Sequence, residues 1–140
     1  AEDPMNDFLP SVGHLEVYQL PVGEGIRVDN GFEQGMNIPI YYDPMLAKLI
    51  TYGETREEAI QIMIKAIEDY HVEGVQTTLP FGKFVFEHEA FRSGKFDTHF
   101  VKNYYSAEML KSQIAKEAEI AALVALNQYF EDQKIVRLLN

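Results

Sequence analysis

Met45-Leu46-Ala47-Lys48-Leu49-Ile50-Thr51-Tyr52-Gly53-Glu54-Thr55-Arg56-Glu57-Glu58-Ala59-Ile60 passes from strand to helix within sixteen residues and fixes the fold class. Met45 to Thr51 is apolar except for Lys48, which predicts a more buried strand. Gly53 ends it. Thr55-Arg56-Glu57-Glu58 then has the capping-box form, threonine at the N-cap and glutamate three residues on. Ala59, Ile60, Met63, Ile64, Ile67 and Tyr70 recur at helical spacing, predicting a helix from Arg56 to Tyr70.

Upstream, Pro4, Pro10, Gly13, Pro21, Gly23, Gly25, Gly31, Gly35 and Pro39 break the chain into short extended pieces. His14 to Leu20 reads as a strand. Ile26-Arg27-Val28-Asp29 alternates cleanly, with Ile26 and Val28 on one face and Arg27 and Asp29 on the other. Asn30-Gly31 has the composition of a tight turn. Downstream, Gly74 precedes a predicted strand at Val75–Thr78, a helix at Phe81–Phe91 and a loop at Ser93-Gly94. From Ser106, a plausible N-cap, glycine and proline disappear. Leu110, Ile114, Ala118, Ala121, Val124 and Ala125 then predict a long amphipathic helix to about Phe130, set off by Tyr104-Tyr105. The expectation is an α+β fold, a mostly antiparallel sheet with packed helices and an outlying C-terminal helix.

Composition narrows the function. With 12 Lys+Arg against 22 Asp+Glu, the net charge of -10 argues against nucleic acid and against an anionic membrane surface. Cysteine is absent, which removes disulfides, thiolate nucleophiles and cysteine zinc sites. No secretory leader opens the sequence and no apolar run reaches the length of a membrane span. Gly23-x-Gly25 lacks the third glycine of a dinucleotide fingerprint, and no phosphate-binding P-loop occurs. His14, His71, His88 and His99 are scattered, and His88-Glu89-Ala90-Phe91-Arg92 has arginine where a metalloprotease needs histidine. Chemistry alone yields a small α+β domain. The opening Ala1-Glu2-Asp3-Pro4 fits a domain within a longer polypeptide.

A longer pattern is more specific. Gly25-Ile26-Arg27-Val28-Asp29, Ile40-Tyr41-Tyr42-Asp43-Pro44-Met45-Leu46-Ala47-Lys48-Leu49-Ile50-Thr51-Tyr52-Gly53 and Arg56-Glu57-Glu58-Ala59-Ile60 together resemble the biotin carboxylase C-terminal domain. Ala1-Glu2-Asp3-Pro4, Phe8-Leu9-Pro10-Ser11, Glu73-Gly74-Val75 and Phe96-Asp97-Thr98 agree with it. The resemblance covers about residues 1–103, as an N-terminally truncated copy of that domain, and leaves 104–140 as connector and helix. The Asp-Pro-Met version looks closest to the alpha subunits of propionyl-CoA and related acyl-CoA carboxylases, with acetyl-CoA and pyruvate carboxylases sharing the general pattern.

The resemblance implies a barrel-sandwich-like arrangement with one sheet edge exposed, and part of an ATP-dependent ligase that carboxylates biotin with bicarbonate and MgATP. It implies that Arg27 is the catalytic arginine at the biotin ureido group, where a fixed guanidinium stabilises developing negative charge as an oxyanion hole does. The plain alternative is an ordinary exposed strand arginine. Glu73 is implied as support for the biotin pocket, and Tyr52 and Arg56 as dimer surface. Tyr42 and Asp43 are implied as structural, Asp43 pairing with Lys48 in a buried salt bridge. The ATP lid, the metal-binding glutamates and the biotin-accepting Met-Lys-Met are not in this sequence, so the chain is expected to be inactive alone and to bind no cofactor. Implied partners are the ATP-grasp remainder, the biotin carrier domain and the carboxyltransferase beta subunit, in the cytoplasm or, for a eukaryote, the mitochondrial matrix. The competing expectation is a non-catalytic interaction module docking a partner through its acidic surface and long helix.

Overall fold

The computed structural model describes residues 1–39, 41 and 43–138, and in the last helix the side chains through Phe130 and of Asp132. Tyr42 therefore lies outside the described residues. The chain is α+β. Its strands form four two-stranded antiparallel ladders. β1 (Glu2–Asp3) pairs with β2 (Leu9–Pro10), and β3 (Gly13–His14) with β6 (Asn37–Ile38). β4 (Val17–Gln19) pairs with β8 (His71–Glu73), and β5 (Ile26–Asn30) with β7 (Ala47–Thr51). Among the described residues each of these strands has a single ladder partner.

The capping box forms a variant of the expected pattern. Thr55 Oγ1 accepts from Glu58 N at 3.1 Å, opening α1 (Arg56–Glu68). Glu58 Oε2 reaches back to Glu54 N at 2.8 Å, one residue before the cap. Thr51 Oγ1 donates to Ala59 O at 2.9 Å and pins the helix to β7. α1 ends before Tyr70, because the backbone must straighten there to run into β8.

Three strand expectations need correction. His14–Leu20 is two strands broken at Leu15, whose side chain is fully buried, and Tyr18 points inward with it. The strand expected at Val75–Thr78 lies instead at His71–Glu73, because those residues meet β4 in register, Tyr18 opposite Val72. Gly74, at φ +99°, then turns the chain; a Cβ there would sit 1.8 Å from His14 O. Met45–Thr51 shortens to Ala47–Thr51, half-buried on both faces with Lys48 exposed. Asn30-Gly31 closes no hairpin: the partner of β5 is β7, and the Asn30 side chain braces the bend.

The expected helix at Phe81–Phe91 is split into α2 (Leu79–Glu87) and α3 (Glu89–Arg92). His88 between them is extended, and its Nδ1 accepts from Ala90 N at 3.1 Å. α4 (Phe100–Tyr104) is an element the periodicity did not show. α5 (Ala107–Leu138) runs past the predicted end. Ser106 caps it, Oγ accepting from Met109 N at 3.3 Å.

Two apolar clusters hold the body together. Leu15, Tyr18, Ile38, Leu46, Tyr70 and Val75 pack where the ladders meet the end of α1. Phe84, Phe100 and Leu110 join α2, α4 and the first turns of α5. Lys83 Nζ lies 3.0 Å from Glu68 and 3.2 Å from Glu117, while Gln113 bonds Glu87 and Glu117, so α5 leaves the body at an angle set by α1 and α2. Burial alone would lower the Lys83 ammonium pKa, but its bonds to Glu68 and Glu117 outweigh this and raise it. Beyond that clasp the predicted apolar stripe is exposed, Val124 at 64%.

Candidate functional site

The β5·β7 ladder presents one face that carries three charged residues beside the half-buried Ile50. Its register sets Arg27 opposite Ile50 and Asp29 opposite Lys48. Residues two apart on a strand share a face, and directly opposite side chains lie about 5 Å apart at Cβ. Arg27, Asp29 and Lys48 are therefore gathered on one side, all exposed, while Val28 and Leu49 turn towards the body.

Arg27 Nε lies 3.2 Å from Asp29 Oδ1, with the Arg27 side chain 68% exposed. This contact uses the inner nitrogen of the guanidinium. Among the described residues both terminal amino groups remain open to solvent-side partners. A planar cation with a carboxylate beside one corner and two parallel N–H donors left over suits a single oxygen or a carboxylate-like pair. The backbone leading into the strand is equally fixed. Gly25 has φ +73°, and a Cβ there would stand 2.4 Å from Tyr52 O. Gly25 O also accepts from Tyr52 N at 2.8 Å, extending the ladder one step before Arg27.

A shallow cavity of about 330 Å³ lies beside this face, lined among others by Asp29, Asn30, Gly31, Met45 and Lys48. Its lining mixes these polar groups with Met45, Leu46 and Ala47, and it is open to solvent.

The other expected site residues are dispersed. Glu73 is exposed on β8, in a different ladder; its backbone O accepts from Glu16 N, and the carboxylate that meets Arg27 is Asp29. Asp43 makes no buried salt bridge with Lys48. Both are exposed, and Asp43 Oδ1 instead accepts from Met45 N at 2.8 Å, a local turn bond that suits a short acidic side chain before a strand. Tyr52 is 67% exposed, its hydroxyl touching Glu54 at 3.3 Å. Arg56 is tied inward: Nη2 donates to Phe91 O at 2.7 Å, and the guanidinium sits 4.9 Å from the centre of the Phe91 ring. Asp29 is the residue sequence reasoning left without a role. Its signal was present, since Arg27-x-Asp29 on a strand places both on one face.

Among the described residues no cluster of three or more His, Asp or Glu is placed to hold a metal, and no helix is long and apolar enough to cross a membrane. The arrangement defines an α+β domain that contributes one outward-facing arginine.

Comparison with known proteins agrees with that class. The sequence model of the family described as the biotin carboxylase C-terminal domain matches residues 1–103, and the chain belongs to that family. It is 48% identical over 104 residues to biotin carboxylase 1 of Bacillus subtilis, an alignment covering 74% of this chain and 23% of that protein. It is 34% identical over 139 residues to the mitochondrial propionyl-CoA carboxylase alpha chain of Caenorhabditis briggsae, covering 98% of this chain and 19% of the other. Among solved structures, the biotin carboxylase domain dimer of Hydrogenobacter thermophilus 2-oxoglutarate carboxylase, crystallised with MgADP, ADP and bicarbonate, superimposes with a TM-score of 0.73. That match is 40% identical and covers 74% of this chain and 23% of the other. The chain thus spans about a fifth to a quarter of the length of these relatives.

Proposed function

We propose that this chain is the C-terminal part of the biotin carboxylase component of a biotin-dependent carboxylase, and that Arg27 is its contribution to the active site. The larger enzyme carboxylates biotin with bicarbonate at the expense of MgATP. The observation that carries the reading is the Arg27–Asp29 pair on β5 in a chain of this family. Asp29 lies beside the Nε corner, an exposed ion pair that biases the guanidinium orientation. The two terminal amino groups then offer N–H donors to an oxygen that gains negative charge, which is the demand a ureido oxygen makes when its ring nitrogen gives up a proton. Lys48, opposite Asp29, adds a second positive charge to the same face. Glu73, on the β4·β8 ladder, is proposed on the family resemblance alone as support for the biotin pocket.

The chemistry of ATP and Mg2+ belongs to the ATP-grasp remainder of the enzyme, and the acceptor arrives on the biotin carrier domain. Residues 1–103 form the carboxylase part, and 104–140 the connector leading to the region that meets the carboxyltransferase subunit. An acyl-CoA is the substrate class favoured by the Asp43-Pro44-Met45 version of the pattern. Tyr52 is assigned to the homodimer surface, with a cytoplasmic or mitochondrial matrix setting according to the source.

The test is Arg27→Ala and Arg27→Lys in the full carboxylase. Biotin carboxylation is expected to fall by about 10²- to 10³-fold, the scale of losing one preorganised oxyanion donor. Bicarbonate-dependent ATP turnover without biotin is expected to change little. Equal loss of both activities, or of neither, removes Arg27 from this role.

A further inference from the structure

A chain of buried hydroxyls reaches the arginine strand from the core. Tyr70 and Tyr18 are both buried, their ring centres 5.8 Å apart. The Tyr70 hydroxyl donates to the Tyr18 hydroxyl at 2.8 Å, and Tyr18 donates to Asn30 Oδ1 at 2.8 Å. Asn30 Nδ2 in turn donates to Phe32 O at 2.6 Å, and Phe32 N donates to Asn30 Oδ1 at 3.3 Å.

The direction of every proton in this chain is determined. Phe32 O needs a donor and Phe32 N an acceptor, so the Asn30 amide has one orientation. That orientation presents oxygen to Tyr18, so Tyr18 must donate to it and accept from Tyr70. A chain with one satisfied arrangement holds its members in place better than one whose protons can be shuffled.

Its position matters more than its energy. Asn30 is the last residue of β5, and Tyr18 is the central residue of β4. These strands belong to different ladders, so the Tyr18–Asn30 bond ties the ladder bearing Arg27, Asp29 and Lys48 to the ladder bearing Glu73. Asn30 stands three residues beyond Arg27, roughly 10 Å along an extended strand, and next to Asp29. From the core side, the chain holds the end of β5 against sliding or lifting.

Resting on the function proposed above, we infer that Tyr18 and Asn30 are positioning residues for Arg27: they fix the end of β5 so that the guanidinium meets its target in register. Neither touches the reacting atoms. Tyr70 supports Tyr18 from behind. Its removal leaves the Tyr18–Asn30 bond in place and acts on stability.

The experiment uses the full carboxylase, with Y18F, N30A, the Y18F/N30A double variant and R27A measured side by side. Biotin-dependent carboxylation and biotin-free, bicarbonate-dependent ATP turnover are followed in each. Y18F and N30A are each expected to lower kcat/KM for biotin about tenfold, since a small misplacement of a catalytic group is costly. KM for ATP and biotin-free turnover should stay within about twofold of the parent on the same argument. The double variant should lose about as much as the more damaging single variant and not a hundredfold, because both changes break the Tyr18–Asn30 bond they share. Should Y18F fail to fold, N30A decides, Asn30 being exposed. Additive losses, equal loss of both activities, or parental rates in Y18F and N30A while R27A is inactive overturn the positioning role and leave the function reading standing. An R27A enzyme that still carboxylates biotin overturns that reading itself, and this inference with it.

Discussion

Replacing Arg56 by alanine separates two roles for one side chain. The family resemblance places Arg56 at a dimer contact, yet in the structure its exposed guanidinium is engaged by another part of the same chain. Nη2 donates to Phe91 O at 2.7 Å and the cation lies 4.9 Å from the Phe91 ring centre. That ring in turn stacks on Phe96 at 4.8 Å and meets Phe86 edge-on at 5.1 Å. Next to it, Arg92 pairs with Glu57 in the first turn of α1. Arg56 therefore joins the start of α1 to α3. A hydrogen bond from a charged donor is worth about 1.5–3 kcal/mol net, and exposure takes it to the bottom of that range or below. An exposed cation–π contact adds about 0.5–1 kcal/mol. The expected loss in Arg56→Ala is about 1–2 kcal/mol, lowering Tm by roughly 3–7 °C for a chain of this size. Arg56→Lys keeps the charge over the ring but loses the planar fork, and should fall between. Urea and thermal unfolding of the 140-residue chain measure this, with self-association followed by sedimentation at matched concentrations. Tyr52→Ala is the companion variant, being exposed and free of core contacts, and should change association without moving the unfolding midpoint. An Arg56→Ala chain that dissociates at parental stability would refute the clamp and return Arg56 to the interface alone.

Two further outcomes follow from the packing. Leu110 is 1% exposed between Phe84 and Phe100, so Leu110→Ala should cost about 2–5 kcal/mol in urea unfolding. Ile114→Ala, on the exposed continuation of the same helix, should cost little; equal costs would mean that α5 is not anchored through its first turns. Burial, and then the hydrogen bond with Tyr18, raise the Tyr70 phenol above the ordinary tyrosine range. The folded chain therefore keeps that proton more tightly than the unfolded chain. The stability it contributes is complete below the unfolded value of about 10 and is lost as pH climbs beyond it. Ultraviolet titration should show Tyr70 ionising only together with unfolding. Tyr70→Phe should flatten the alkaline fall in stability, and an unchanged slope would rule the linkage out.

The parts of the fold legible in the sequence were those whose signals are local. Thr55 and Glu58 stand three residues apart, and their cap needs nothing from the rest of the chain. The alternation of Ile26, Arg27, Val28 and Asp29 likewise put Arg27 on an open face before any partner strand was known. What failed depended on distant pairing. His71–Glu73 is a strand because β4 offers an edge more than fifty residues upstream, while the more apolar Val75 is core without being strand. Lys48 was paired with its sequence neighbour Asp43, but the ladder register sets it opposite Asp29, nineteen residues back. His88 looked like one turn of a continuous helix; its ring, packed 5.2 Å from Phe100 and 4.7 Å from Tyr104, is what the break in that helix accommodates.

The same contrast explains how a domain of short ladders can present an arginine in the role proposed for Arg27. A two-stranded ladder alone is marginal in water, and β5·β7 exposes the face that carries Arg27. Its rigidity must come from behind. Thr51 bonds α1, Gly25 lets the chain close on Tyr52, and Asn30 is held through Tyr18 to the buried Tyr70. These three ties act at the end of β7, just before β5 and at the end of β5, so they surround the Arg27–Asp29 pair without occupying the face that carries it. That face stays free for a substrate because its supports are on the other side. A substitution that weakens any tie should therefore act on Arg27 before it unfolds the domain, which is the order of events the Tyr18 and Asn30 variants are designed to reveal.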